Sequence, residues 1–434
     1  MSSAATDAYI DDFSAFIADS PSSYHAAAAV ATRLDAAGFT RLDETVDWAE
    51  TRAAGPSYNY VVRDGAVIAW IVPADATPTT PYRILGAHTD SPAFKLKPKP
   101  TTGSAGWLQA GVEVYGGPLL NSWLDRELEL AGRIVSIDGT ETLVRTGPLL
   151  RIPQLAIHLD RDVNNGLTLD KQRHIQPIWG VGDASRADLL AHIAGIAGVR
   201  SKNIAGFDLL TAPTQRAERF GQGRSLLAAS RMDNLSSVFA GLTALLHARA
   251  TTTPADTHIS VLAAFDHEEL GSESRSGASG PFLADVLVRL GDALGATEAE
   301  QRQAIAGSWC LSADAGHAVH PNYPERHDPV NRPVAGGGPL LKINANQRYA
   351  TDAHGAALWA RTCWQAGVEF QEFVSNNQIP CGSTIGPLTA TRIGIRTVDV
   401  GVPLLSMHSA RELAHVDDLA ALARVASAFF TPRS

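Results

Sequence analysis

Asp266-His267-Glu268-Glu269-Leu270-Gly271-Ser272-Glu273-Ser274 follows directly on Ile259-Ser260-Val261-Leu262-Ala263-Ala264-Phe265. The seven-residue run is mostly apolar and of strand length, the pattern of a strand buried on both faces of a parallel sheet. In open α/β sheets, ligands bind outside the carboxyl ends of the strands. Consecutive side chains there point in different directions. One of the two adjacent glutamates can therefore hold a metal while the other moves protons. A solvated acidic loop is the ordinary alternative, and this stretch alone leaves it open.

The whole-chain properties narrow the choice. At 434 residues the chain exceeds one typical domain, and two are expected. Hydrophobic residues make up 45% and charged residues 19%, as in soluble globular proteins. The formal net charge of −9 argues against a nucleic-acid partner. No apolar run reaches the roughly 20 residues that span a bilayer, so no membrane association is expected. Met1 to Ser20 has neither a basic region nor a long apolar core, and no secretory signal is read there. Cys310, Cys363 and Cys381 are too few and too widely spaced for a zinc finger or a disulfide framework. A reducing, cytoplasmic location is expected.

Outward from the opening stretch, other strand-like runs also end in polar residues. Arg83-Ile84-Leu85-Gly86-Ala87 ends at His88-Thr89-Asp90-Ser91-Pro92, Leu226 to Ser230 ends at Arg231-Met232-Asp233-Asn234, and Trp309 to Ala313 ends at Asp314. Gly394 to Val400 leads toward Ser406-Met407-His408. Helices are expected near 6–19, 24–36, 235–249, 281–294, 352–366 and 416–429. Arg63-Asp64-Gly65 and Asp138-Gly139 mark hairpins. Between Pro92 and Arg224 the texture changes to short β-like runs, including Leu155 to Leu159, with one helix near 185–197. This predicts an inserted β-rich domain over 92–224 within a catalytic domain formed by 1–91 and 225–434. The alternating Lys95, Lys97 and Lys99 read as a solvated strand face.

Each polar site has a plain alternative: Asp233 as a helix cap, Asp314 as a turn residue, His408 as a loop histidine. Their coincidence is informative, because a doubly wound sheet gathers its strand C-termini on one edge. Two histidines and several carboxylates, with no thiolate, suit Zn²⁺ and tolerate Mn²⁺ or Co²⁺. Two metals about 3.5–4 Å apart, bridged by one carboxylate, form a common hydrolytic site. A spare glutamate beside a ligand glutamate can serve as general base.

Taken together, the motifs His88 to Pro92, Ser230 to Asn234, Asp266 to Ser272, Ala313 to Asn322 and Ser406 to Ser409 resemble those of the aspartyl aminopeptidase family of zinc metallopeptidases (peptidase family M18). The resemblance runs from about residue 6 to the C-terminus, with the motifs in the family's order. It implies an α/β zinc-peptidase domain of mixed or parallel sheet, with the β-rich insert serving in dimerisation. It also implies two Zn²⁺ ions per subunit, held by His88, Asp233, Glu269, Asp314 and His408, with Asp233 as the bridge. Glu268 would be the base that deprotonates a metal-bridging water, and Asp90 the support of His88. Removal of N-terminal residues, acidic ones first, from peptides would be the activity, and a homododecamer built from homodimers the assembly.

Some residues carry two readings. His158 lies in the insert and reads as a packed strand histidine. The resemblance of Ile152 to Leu159 instead implies a catalytic role in a neighbouring subunit, or a place by the metals of its own. Lys342, one of six lysines, reads as a surface residue. The resemblance of Gly338 to Asn344 implies substrate binding, with the cation pairing an acidic side chain. Met407, within the Ser406 to Ser409 motif, is a second substrate-binding candidate. His317, His320 and His327 read as loop-ordering or substrate-pocket residues. Cys381 to Gly386 lacks the lysine of a phosphate loop and reads as a turn before a helix capped by Thr384. Rival functions are an aminopeptidase preferring neutral residues, a related zinc carboxypeptidase or deacylase, and a peptide-binding protein without catalysis.

Overall fold

The structure is a computed structural model that describes residues 3–48, 55–251, 253 and 257–431. The ends of the expected catalytic unit, 1–2 and 432–434, lie outside the described residues.

A nine-stranded mixed sheet forms the centre. Its spatial order is Thr40–Arg41, Ser57–Arg63, Ala66–Val72, Ile259–Phe265, Tyr82–His88, Trp309–Ala313, Arg396–Gly401, Leu340–Ile343 and Gln371–Val374. The strands Ile259–Phe265, Tyr82–His88, Trp309–Ala313 and Arg396–Gly401 run parallel at its middle. Every residue of Ile259–Phe265 is buried, as its unbroken apolar sequence requires. Alternate residues feed two cores. Leu85, Ala87, Leu262 and Leu311 face one; Ile84, Val261, Ala263 and Cys310 face the other. Helices Ser3–Asp19, Ser23–Ala36, Met232–Thr251 and Val416–Phe430 contribute to the first core, and Phe282–Ala293 and Ile385–Ile393 to the second.

The parallel register aligns the strand ends. Phe265 pairs with His88, and Ala313 with Val400, so these strands stop level with one another. Their polar successors are delivered to one edge.

A seven-stranded antiparallel sheet lies between Ala93 and Pro213. The strand Ile204–Pro213 pairs with both Ala93–Ser104 and Glu127–Ser136, so the sheet curls into a barrel-like form over its own core. The expected helix in this region is shorter, Leu189–Ala197, with Asp188 as its N-cap. Leu155 to Leu159 is not a strand. It is a turn closed by Leu159 N–H donating to the Ala156 carbonyl at 2.8 Å. Leu155, Ile157 and Leu159 are 60%, 47% and 74% exposed. Their alternation imitates a strand, but among the described residues no partner strand takes up their backbone groups.

A third, five-stranded sheet is not legible in the sequence. Its order is Glu218–Phe220, Leu226–Ala229, Glu412–His415, Pro403–Leu405 and Gly316–His317. Leu226 to Ser230 and the segment before His408 therefore do not end on the large sheet. They end on this small one, which abuts the same edge. Helix Glu298–Ala306, with a Thr297–Glu300 capping box, is a further element beyond the expected set.

Candidate metal centre and active site

Loops from the large sheet and from the small one meet at this edge. His88 closes its strand and is 1% exposed. Its Nδ1 lies 3.0 Å from the Asp90 carbonyl, which can only accept, so that nitrogen carries a proton and Nε2 is the one turned to the cluster. That Nε2 lies 3.3 Å from Asp233 Oδ1, 3.4 Å from Asp314 Oδ1 and 3.9 Å from Glu268 Oε2. His408 repeats the arrangement. Its Nδ1 donates to the Gly117 carbonyl at 3.0 Å, and its Nε2 lies 3.3 Å from Asp233 Oδ2 and 3.5 Å from Glu269 Oε2. Asp233 thus turns one oxygen to each imidazole. It does not cap the following helix, whose regular turns begin after Asn234; the Asp233–Asn234 peptide is cis, and Asn234 donates to the Ala313 carbonyl.

Converging ligand atoms occur in three overlapping groups among the described residues: His88, Asp233 and Asp314; His88, Glu268 and Glu269; and Asp233, Glu269 and His408. Two imidazole Nε2 atoms, each on a ring whose Nδ1 is tied to a backbone carbonyl, face these carboxylate oxygens. Asp233 Oδ1, Glu269 Oε1 and Asp314 Oδ1 are buried and accept no hydrogen bond. Buried acceptors packed this way require positive charge, and the nitrogen–oxygen donor set is one zinc takes readily. The residues therefore fit zinc.

The ionisation of the cluster reflects the same demand. Burial, joined by the charges of Asp314, Asp233 and Asp90, pushes the Glu268 carboxyl up to about 8. Burial and Asp233 raise Glu269 well above its usual range. Burial would lower His408, but Asp233 and Glu269 overcome it and lift the ring to about 10. His88 is raised against burial by Glu268, Asp233 and Asp314. In each case the site draws protons where a cation would sit.

Asp90 organises the loop that follows Ile259–Phe265. Its Oδ1 accepts Glu268 N–H at 3.0 Å and its Oδ2 accepts Glu269 N–H at 3.2 Å, while Tyr115 of the β-rich sheet donates to Oδ2 at 2.9 Å. His267 sits in left-handed backbone just before these residues. Asp266 is fully buried and accepts His267 N–H, so both residues shape the loop.

Beside the cluster lies a cleft of about 490 Å³ whose lining includes Glu268, Asp314, His317, Lys342, Tyr349 and Met407. Lys342 is not a surface lysine; it is 1% exposed. Its ammonium donates to the Ala315 carbonyl at 2.6 Å, lies 3.5 Å from Asp314 Oδ2 and sits 5.3 Å above the Tyr349 ring. Asp399, which sequence reasoning missed, anchors two cleft loops: Oδ1 accepts the Thr384 hydroxyl and Oδ2 the Ala350 N–H, each at 2.6 Å. An aspartate inside the apolar run Val398-Asp399-Val400 was the available signal. Thr384 does cap the helix Ile385–Ile393. His320 and His327 tie their loop together, the His327 ring accepting His320 N–H at 3.0 Å. His158 is exposed in the Leu155 to Leu159 turn and belongs to none of the converging groups.

The family model for "Aminopeptidase I zinc metalloprotease (M18)" matches residues 16–430. The chain is 55% identical over 424 residues to a probable M18 family aminopeptidase 2 of Streptomyces avermitilis, covering 97% of each chain. Among solved structures it is similar to the one in a cryo-EM structure of the Ape4 and Nbr1 complex, with a TM-score of 0.94 and 34% identity over 98% of this chain and 86% of that one. The S. cerevisiae mApe1 dodecamer matches with a TM-score of 0.86 and 29% identity over 98% of this chain and 97% of that one. This coverage spans the cluster of converging side chains, the cleft and the β-rich sheet alike, and the chain belongs to the M18 family of zinc metallo-aminopeptidases.

Proposed function

We propose that this aminopeptidase works with two zinc ions per subunit, Mn²⁺ or Co²⁺ being possible substitutes, and that it removes acidic N-terminal residues from peptides. The single observation behind the two-metal reading is the Asp233 carboxylate, with one oxygen 3.3 Å from each of two histidines. His88 and Asp314 would hold one ion, His408 and Glu269 the other, and Asp233 both. When bound, zinc polarises the scissile carbonyl and acidifies the attacking water. Glu268 takes the proton from that water and returns it to the leaving amine. Asp90 fixes Glu268 and Glu269 through their backbone N–H groups, and it holds the His88 ring through its own carbonyl. The buried carboxylates also offer acceptors to the substrate's free α-ammonium. The wall formed by Lys342 and Met407 receives the first side chain.

The buried Lys342 ammonium supports acidic selectivity. Removing it should raise KM for Asp- and Glu-peptides far more than for Leu- or Ala-peptides. With Lys342→Met, the ratio of kcat/KM for Asp- over Leu-substrates should fall at least about tenfold, the loss of one charge-assisted hydrogen bond. An unchanged ratio would favour the neutral-residue preference. Comparing aminoacyl with N-acyl substrates separates this reading from a carboxypeptidase or deacylase.

Self-assembly through the β-rich domain into homodimers and a homododecamer would cover the exposed Leu155, Ile157 and Leu159, which a lone subunit leaves in water. His158 lies among them, so we assign it to the active site of a neighbouring subunit, where it steadies the developing oxyanion. Mixed assemblies of two inactive variants, His158→Ala and Glu268→Gln, should then regain activity. Mixtures as inactive as their parents would place its action within one subunit. Cys310, Cys363 and Cys381 are all free thiols, which supports a cytoplasmic setting. Among the described residues no helix is long and apolar enough to cross a membrane.

A further inference from the structure

Glu412 opens the strand Glu412–His415 of the five-stranded sheet and is 2% exposed. A carboxylate that deep is tolerated only when its oxygens are used, and these two serve different loops. Oε2 accepts the backbone N–H of Asp233, and Oε1 the backbone N–H of His408, both at 3.0 Å. The topology explains the reach. Glu412–His415 lies between Leu226–Ala229 and Pro403–Leu405 in its sheet, with Glu412 opposite Ala229. The loop to Asp233 leaves the first neighbour and the loop to His408 leaves the second.

Both loops need holding. Arg231, Ser406 and His408 all have left-handed backbone, with φ of 61°, 57° and 64°. Residues in such conformations persist only where their surroundings over-determine them. On the His408 side, the imidazole is fixed at Nδ1 by Gly117 and the main chain at N–H by Glu412. On the Asp233 side, the carbonyl accepts the Ser91 hydroxyl at 2.7 Å and the N–H goes to Glu412. Among the described residues, Glu412 is the one side chain that accepts from both backbones. It belongs to none of the groups of converging ligand atoms found there.

We propose that Glu412 is a positioning residue of the metal centre, setting the spacing between Asp233 and His408 by accepting both their backbone N–H groups. The proposal rests on the metal-ligand roles of these two residues. Glu412 does so as a double acceptor. Glutamine in its place has the same shape but only one acceptor oxygen, and its amide would turn a donor toward one of the two N–H groups. The loop facing that donor must move, and the ion shared by Asp233 and His408 is the one that loosens.

Zinc affinity of the full-length protein, measured by competition with a chromophoric chelator, is the test. Glu412→Gln should weaken at least one of the two zinc equivalents by about 10- to 100-fold, the range seen when a supporting partner of a ligand is lost. It should lower kcat at limiting zinc and recover as zinc is raised. Asp418→Asn is the control. Asp418 is also a buried carboxylate accepting two backbone N–H groups, from Gly336 and Gly338, but those carry no ligand. Its zinc affinity should stay at wild type. Equal weakening in both variants, or wild-type affinity in Glu412→Gln, overturns the proposal. If Glu412→Gln is insoluble, Glu412→Asp, one methylene too short to reach both loops, must show the same selective weakening; wild-type affinity there also overturns it. His408→Gln calibrates the assay. If it too binds both equivalents normally, the ligand assignment fails rather than the role of Glu412.

Discussion

Asp233→Ala should abolish metal-dependent activity and lower the affinity for both zinc ions, not for one. The reason is geometric. The carboxylate places Oδ1 3.3 Å from His88 Nε2 and Oδ2 3.3 Å from His408 Nε2, so each half of the cluster loses a ligand at once. His88→Ala or His408→Ala would remove a ligand from one half only. We expect the affinity loss in Asp233→Ala to exceed about 100-fold, the upper end of what loss of a supporting residue costs. Zinc should stabilise the wild type by mass action, with its melting temperature rising with free zinc. In the variant that rise should be strongly reduced. A variant that still binds one equivalent at wild-type affinity would show that Asp233 serves a single ion.

Glu268→Gln should leave zinc binding nearly intact and lower kcat by about 10²–10⁴, the usual contribution of a general acid–base residue. Glu268 stands slightly farther from the histidines than the other acids: its Oε2 is 3.9 Å from His88 Nε2, and its side chain is 16% exposed toward the cleft. The backbone N–H that Asp90 accepts holds it there. Glutamine keeps the shape and loses the basicity, so kcat should drop while KM moves little. Hydrolysis of Asp-peptides at the wild-type rate would refute the mechanism.

These residues are unequally legible in the sequence. His88, the Glu268-Glu269 pair and Asp314 follow apolar runs of strand length, and those runs are the parallel centre of the large sheet. Their arrival at one edge follows from the fold class, an α/β mixed sheet with a β-rich companion. Asp233 and His408 reach that edge by a different route from the one their sequence suggests. Their strands, Leu226–Ala229 and Pro403–Leu405, are four and three residues long and form a second sheet. Strands so short carry too little periodicity to reveal which sheet they join. Leu155 to Leu159 misleads in the opposite way: its apolar residues alternate as in a strand, yet they lie exposed in a turn.

Polar residues with structural duties are the hardest to read. Lys342 lies among Leu340, Leu341 and Ile343, and Asp399 between Val398 and Val400. Each is a charge inside an apolar strand, a pattern that argues for a buried, committed group. Glu412 has no such mark. Its role exists only where two loops distant in sequence from each other pass its carboxylate.

The mechanism stands or falls on a pair of zinc ions sharing the Asp233 carboxylate. Anomalous diffraction at the zinc absorption edge, on crystals of the zinc-loaded protein, tests for that pair directly. Two peaks are expected on either side of Asp233, one against His88 and Asp314, the other against His408 and Glu269. A single peak, or two peaks of which one lies away from Asp233, would contradict the shared carboxylate.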